Sequence, residues 1–138
     1  MRTRGRGRSG GARWPYLGTP QKALLLAGLG VWAGAALPWA IILGRVLWGA
    51  PLAVSWTLWA GLMVLAGASV RWPILAAASA AVGGGTAIWF GAWQGGRILS
   101  TCPLSTQCLP GPGIVVLVAA GAIAIVQARR ILQRRRAT

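Results

Sequence analysis

Four long stretches of this chain carry no charge, and basic residues alone mark the breaks between them. A helix needs about 20 apolar residues to cross a hydrocarbon core of about 30 Å; the first three stretches supply them outright, and the fourth does so with two arginines in its last turn. The first, ALLLAGLGVWAGAALPWAIILG, fills 23–44 between Lys22 and Arg45. The second, over 52–70, follows Pro51 and ends before Arg71. Trp72-Pro73 resets the chain, and the third runs over 73–93. The fourth follows Pro112 and occupies 113–132; its purely apolar part, Ile114 to Val126, is short, so Arg129 and Arg130 snorkel from its last turn. Pro38 falls inside the first stretch and predicts a kink whose freed carbonyl a neighbouring helix covers.

With 56% hydrophobic residues in 138, little polar sequence is left to make a soluble shell. The fold expected is all-α: a polytopic membrane protein with four transmembrane helices in a small bundle. The first stretch is too long for a signal-peptide core and no A-x-A cleavage site follows it. Helices 2 and 3 form a tight hairpin, and the longer loop joins helices 3 and 4. Residues 1–21 read as a basic disordered arm, 22–132 as the membrane domain and 133–138 as a basic tail.

The chain has 14 Lys plus Arg and no Asp, Glu or His. Placing both termini in the cytoplasm gathers Arg2, Arg4, Arg6, Arg8, Arg13, Lys22, Arg71, Arg129, Arg130, Arg134, Arg135 and Arg136 on that side, and leaves only Arg45 and Arg97 outside. This asymmetry predicts an N-in, C-in protein of a bacterial plasma (inner) membrane, with the loop between helices 3 and 4 extracytoplasmic. Abundant Ala, Gly, Pro, Trp and Arg, a single lysine and no asparagine point to a GC-rich bacterial or phage genome. That bias does not account for the missing carboxylates.

Helices in lipid associate through close backbone approach, so small residues mark contact faces. The candidates are Gly30 and Gly34 in the first helix, Gly83, Gly84, Gly85, Gly91 and Gly95 in the third, and Ala120, Gly121 and Ala124 in the fourth, with the third helix central. The same faces could serve a homo-oligomer or the monomer. Among the aromatics, Trp14, Tyr16, Trp48, Trp72 and Trp93 fall near membrane interfaces. Trp32, Trp56, Trp59 and Trp89 lie deeper, where they either pack on Gly and Ala faces or line a pocket for a quinone, carotenoid or lipid tail.

Catalysis finds few tools here. Acid–base work at neutral pH falls mainly to His, Asp or Glu, and none is present. Two thiols are too few for a zinc site, haem has no histidine, and no phosphate-cradling loop occurs. Proton- or cation-coupled transport normally uses an intramembrane carboxylate or histidine. The expectation is a chain with no catalytic residue, no metal and no cofactor.

The arm MRTRGRGRSGGARWP resembles Arg-Gly segments that bind RNA, which would make it a membrane tether for nucleic acid. Arg2, Arg4, Arg6, Arg8, Arg134, Arg135 and Arg136 equally suit anionic headgroups or an acidic partner, and topology already calls for positive charge there, so nucleic acid is the lesser reading. The leading expectation is a non-catalytic accessory or structural subunit of a larger membrane complex, partnered by other membrane subunits. The alternative is a holin-like pore-former, a class that is also short, multispan and basic at its ends. Cys102 and Cys108, in STCPLSTQCLPGPG, are too far apart for a CxxC redox motif and are expected to form a disulfide that braces the external loop.

Overall fold

The computed structural model describes residues 19–101 and 108–137, a bundle of four helices with a small sheet at one end. The helices are α1 (Thr19–Ala36), α2 (Pro51–Ser69), α3 (Pro73–Thr101) and α4 (Pro112–Arg136). The strands are β1 (Ala40–Ile42), β2 (Arg45–Leu47) and β3 (Cys108–Pro110). Three helices, α2, α3 and α4, are long and apolar enough to cross a membrane. Prolines open all three, at the first helical position where a missing N–H costs nothing. The turn Val70–Trp72 between α2 and α3 is as tight as expected.

Each helix packs along two neighbours in a closed ring, α1–α2–α3–α4 and back to α1. The third helix is therefore not central, a correction to the expectation above. Four helices with similar small-residue faces share the close approach equally, so no one of them needs to be surrounded. All neighbours are antiparallel: Gly28 meets Leu65 while Gly61 meets Trp32, and Gly84 meets Gly121 while Gly91 meets Val118.

The first helix is the largest departure from the sequence reading. It ends at Ala36 instead of continuing to residue 44, and Pro38 stops it rather than kinking it. Leu37, preceding a proline, is pushed out of the helical region, and its N–H makes the last helical bond, to Ala33 (3.0 Å). The next residues form the β1–β2 hairpin, with Ala40 opposite Leu47 and Ile42 opposite Arg45. Leu43 and Gly44 make its two-residue turn with φ of 51° and 74°, the doubly positive geometry that matches strand twist. On its other edge β1 pairs antiparallel with β3, setting Ala40 opposite Pro110 and Ile42 opposite Cys108.

Other boundaries shift less. α1 begins at Thr19, so the last residues assigned to the arm are helical; α3 runs on to Thr101, past 93; and α4 continues to Arg136, so most of the tail assigned to 133–138 is helix. Arg134, Arg135 and Arg136 occupy the last turn of α4, where positive charge complements the helix dipole.

The core is made of small residues. Every buried position of α3 is alanine or glycine, from Ala76 to Gly91, and within the helices the largest fully buried side chains are only Leu24, Leu117, Val31, Val64 and Thr57. The bulky groups point outward: Leu26, Leu52, Ile74, Val82, Trp89 and Val115 are all more than half exposed. A soluble bundle does the reverse, whereas a lipid-facing surface takes large apolar side chains and frees the interior for backbone contact. Thr57, the one buried polar residue among those described, donates its hydroxyl to the Val54 carbonyl (2.8 Å) within its own helix.

Candidate functional site

The antiparallel ring sorts the basic residues by end. Lys22, Arg71, Arg129, Arg130, Arg134, Arg135 and Arg136 lie where α1 and α3 begin and α2 and α4 finish, and Arg45 and Arg97 lie at the end closed by the sheet. Arg2, Arg4, Arg6, Arg8, Trp14, Tyr16 and Cys102 lie outside the described residues.

The sheet forms a cap that ties two connections together, α1 to α2 and α3 to α4. Trp39 is its centre: 3% exposed, it donates its indole N–H to the Gly34 carbonyl of α1 (3.1 Å) and lies against Gly49 and Gly113. Its backbone N–H donates to Leu47 and its carbonyl accepts from Gly111, so one residue touches α1, β2 and the entry to α4. Gly111 is obligatory at this point, because a Cβ there would collide with the Pro38 carbonyl. Cys108 is buried beside β1 and is not a free thiol.

The glycines singled out from sequence divide sharply. Gly34 approaches the backbone of α4 at Leu117 and Gly113, Gly83 approaches the Ala60 carbonyl, and Gly84 and Gly121 each face the other's carbonyl. Gly91 lies against Val118 and Gly30 against Ala120. Gly95 makes only ordinary contact with Ile114, and Gly85 opens onto empty space. Gly85 is thus not a packing glycine within this bundle.

That opening belongs to an apolar groove on the outer face of α2 and α3, lined by Trp56, Gly85, Thr86, Trp89 and Phe90, with a volume of about 510 Å³. An aromatic ladder climbs from it toward the cap. Trp59 meets Trp56 edge-on at 5.9 Å, Trp56 stacks on Phe90 at 6.1 Å, and Phe90 meets Trp93 edge-on at 6.1 Å. The ladder ends at Arg97, whose guanidinium carbon lies 5.5 Å from the Trp93 ring centre, an attraction between cation and ring face. Of the four deep tryptophans, Trp56 and Trp89 line this groove and Trp59 flanks it, whereas Trp32 lies over Gly61 and donates its N–H to the Leu58 carbonyl (3.1 Å).

A second apolar groove, of about 350 Å³, runs between α1 and α4 over Ala23, Ala27, Gly30, Val116, Ala119 and Ile123. Sequence reasoning had no part for Phe90 or Trp39. The spacing Phe90–Trp93–Arg97 puts all three on one helical stripe and was the available signal for the ladder. Neither groove holds an acid–base pair or a nucleophile with a base beside it. They can bind apolar chains and helices, and the basic ends can bind anions.

Comparison with protein-family models, with curated proteins and with solved structures finds no match for this chain.

Proposed function

We propose that this protein is a non-catalytic accessory or structural subunit of a larger bacterial membrane complex, spanning the plasma membrane four times with both termini cytoplasmic. The groove between α1 and α4 carries the reading. Its lining combines the small residues Ala23, Ala27, Gly30, Ala119 and Ala120 with the larger Leu26, Val116 and Ile123, and small residues are what allow another transmembrane helix to approach closely. Gentle extraction of the native membrane is expected to bring down one stoichiometric membrane partner, and Ala119→Phe, on the exposed wall of the groove, is expected to release it without changing the bundle's own stability. Purification of nothing but a self-oligomer that permeabilises liposomes would overturn this in favour of the pore-former. The bundle interior argues against a pore through one copy, since it is filled by Ala, Gly, Leu and Val.

The orientation rests on the sorting of basic residues, seven described ones at the end opposite the cap and Arg45 and Arg97 at the capped end. It makes α1, an 18-residue helix about 27 Å long, the fourth span. It also places Cys108 outside, where a disulfide with Cys102 persists. Alkylation before and after reduction is expected to reveal thiols at both cysteines only after reduction. Cys108→Ser is expected to lower stability by about 2 kcal/mol on the loop-entropy estimate. Alkylation of both thiols in unreduced native membranes would count against the disulfide and the orientation together.

A further inference from the structure

We propose that the outer face of α2 and α3 holds one anionic phospholipid of the capped-side leaflet, its phosphate on the Arg97 guanidinium and one acyl chain in the groove over Gly85. Three observations converge. The ladder from Arg97 through Trp93, Phe90 and Trp56 is continuous, so the cation and the groove belong to one surface. Arg97 and Gly85 are twelve positions apart on one helix, roughly 18 Å of rise, which spans the depth of one leaflet of an apolar core of about 30 Å. The chain contains no Asp or Glu to neutralise the guanidinium, so the matching anion must come from outside the chain's own side chains.

The groove is apolar and walled by aromatic rings, as an acyl chain requires. Trp89, 69% exposed, and Trp56 stand as two walls, and the absent side chain of Gly85 makes the floor. The Thr86 hydroxyl donates to the Val82 carbonyl (2.8 Å) and so presents no free donor to the lipid tail. An acyl chain lying there covers the indole faces, and the headgroup reaches Arg97 at the rim. The inference rests on the membrane location and not on the identity of any protein partner.

The test is native mass spectrometry of the full chain, released from vesicles of dioleoylphosphatidylglycerol and dioleoylphosphatidylcholine mixed equally. The chain is expected to retain one lipid, favouring phosphatidylglycerol about fivefold, the ratio that one basic residue near the surface supports. Arg97→Gln is expected to bring the ratio to about one. Gly85→Leu is expected to lose retention of both lipids without lowering the thermal unfolding temperature, because its Cβ enters open space and the rest of its side chain occupies the groove. Arg45→Gln, a second cation at the same end, is expected to keep the preference. Loss of the preference in Arg45→Gln as well, its survival in Arg97→Gln, or full lipid retention in Gly85→Leu would each overturn the proposal.

Discussion

Gly84→Leu is expected to disrupt the bundle, and Gly85→Leu, one residue further on, to leave it at least as stable as before. The two glycines are indistinguishable in local sequence, within GGG, but their surroundings are opposite. A Cβ at Gly84 would stand 2.7 Å from the Gly121 carbonyl oxygen and 3.1 Å from the Ala124 side chain. The obstacle is backbone, held in place by α4, so it can yield only if the two helices separate. Separation spreads the α3–α4 contact over its whole length, since the Gly121 backbone meets Gly84 reciprocally. Overpacking of this kind costs about 1–3 kcal/mol and more where backbone must move. Leucine gains up to about 1 kcal/mol over glycine in helix propensity, which reduces the loss at Gly84 without cancelling it and gives a small gain at Gly85. Unfolding in mild detergent, followed by circular dichroism, is the measurement. Equal responses at the two positions would show that the α3–α4 crossing lies on another face.

The contrast shows what was legible in the sequence. Apolar runs between basic residues located α2, α3 and α4 because the length of a span and the charges at its ends are set by the bilayer, a constraint outside the protein. That small residues make the contacts was legible for the same reason. Which member of GGG turns inward was not, because the helical phase is fixed by the partners across the interface, Ala60 on one side and Gly121 on the other. The end of α1 was misread on a different ground. AIILGRVLW is as apolar as a helix and lacks the Asn-Gly or Asp-Gly turn that would announce a hairpin; Leu43 adopts φ 51° without being a residue that favours it. Its only local signal was Pro38, and a proline in an apolar run is compatible with a kink as much as with a stop.

The candidate surface was legible in part. For the deep tryptophans at 56 and 89 an apolar pocket was one of two readings beside simple packing, and the structure puts both on one groove. The link to charge was hidden, since Arg97 was counted only as a topological outlier. Its role on the ladder depends on α3 continuing past residue 93, two turns beyond the span that the bilayer alone requires.

Trp39→Ala is expected to be the most damaging single truncation, at about 3–5 kcal/mol, and to detach the cap before the helices separate. Trp39 is the only buried tryptophan among the described residues. Trp48, Trp72 and Trp89 are each more than 60% exposed, so truncating them removes lipid or interfacial contact and leaves no cavity. Trp39 is enclosed by the glycines at 49 and 113, and its ring is what those missing side chains make room for. Removing the ring opens a void beneath the sheet and leaves the Gly34 carbonyl without its side-chain donor. The two parts separate experimentally. Trp39→Phe retains most of the ring volume and gives up the indole N–H, so it is expected to cost nearer 1 kcal/mol than the full loss. Hydrogen exchange is the sharper readout, because the bonds Trp39 to Leu47, Gly111 to Trp39 and Gly113 to Pro38 all run through this residue or its neighbour. In Trp39→Ala their amides are expected to exchange early while those in the middle of α2 and α3 stay protected. Uniform exchange across cap and helices would mean that the cap and the bundle fold as one cooperative unit, and that Trp39 stabilises the whole rather than fastening one part to the other.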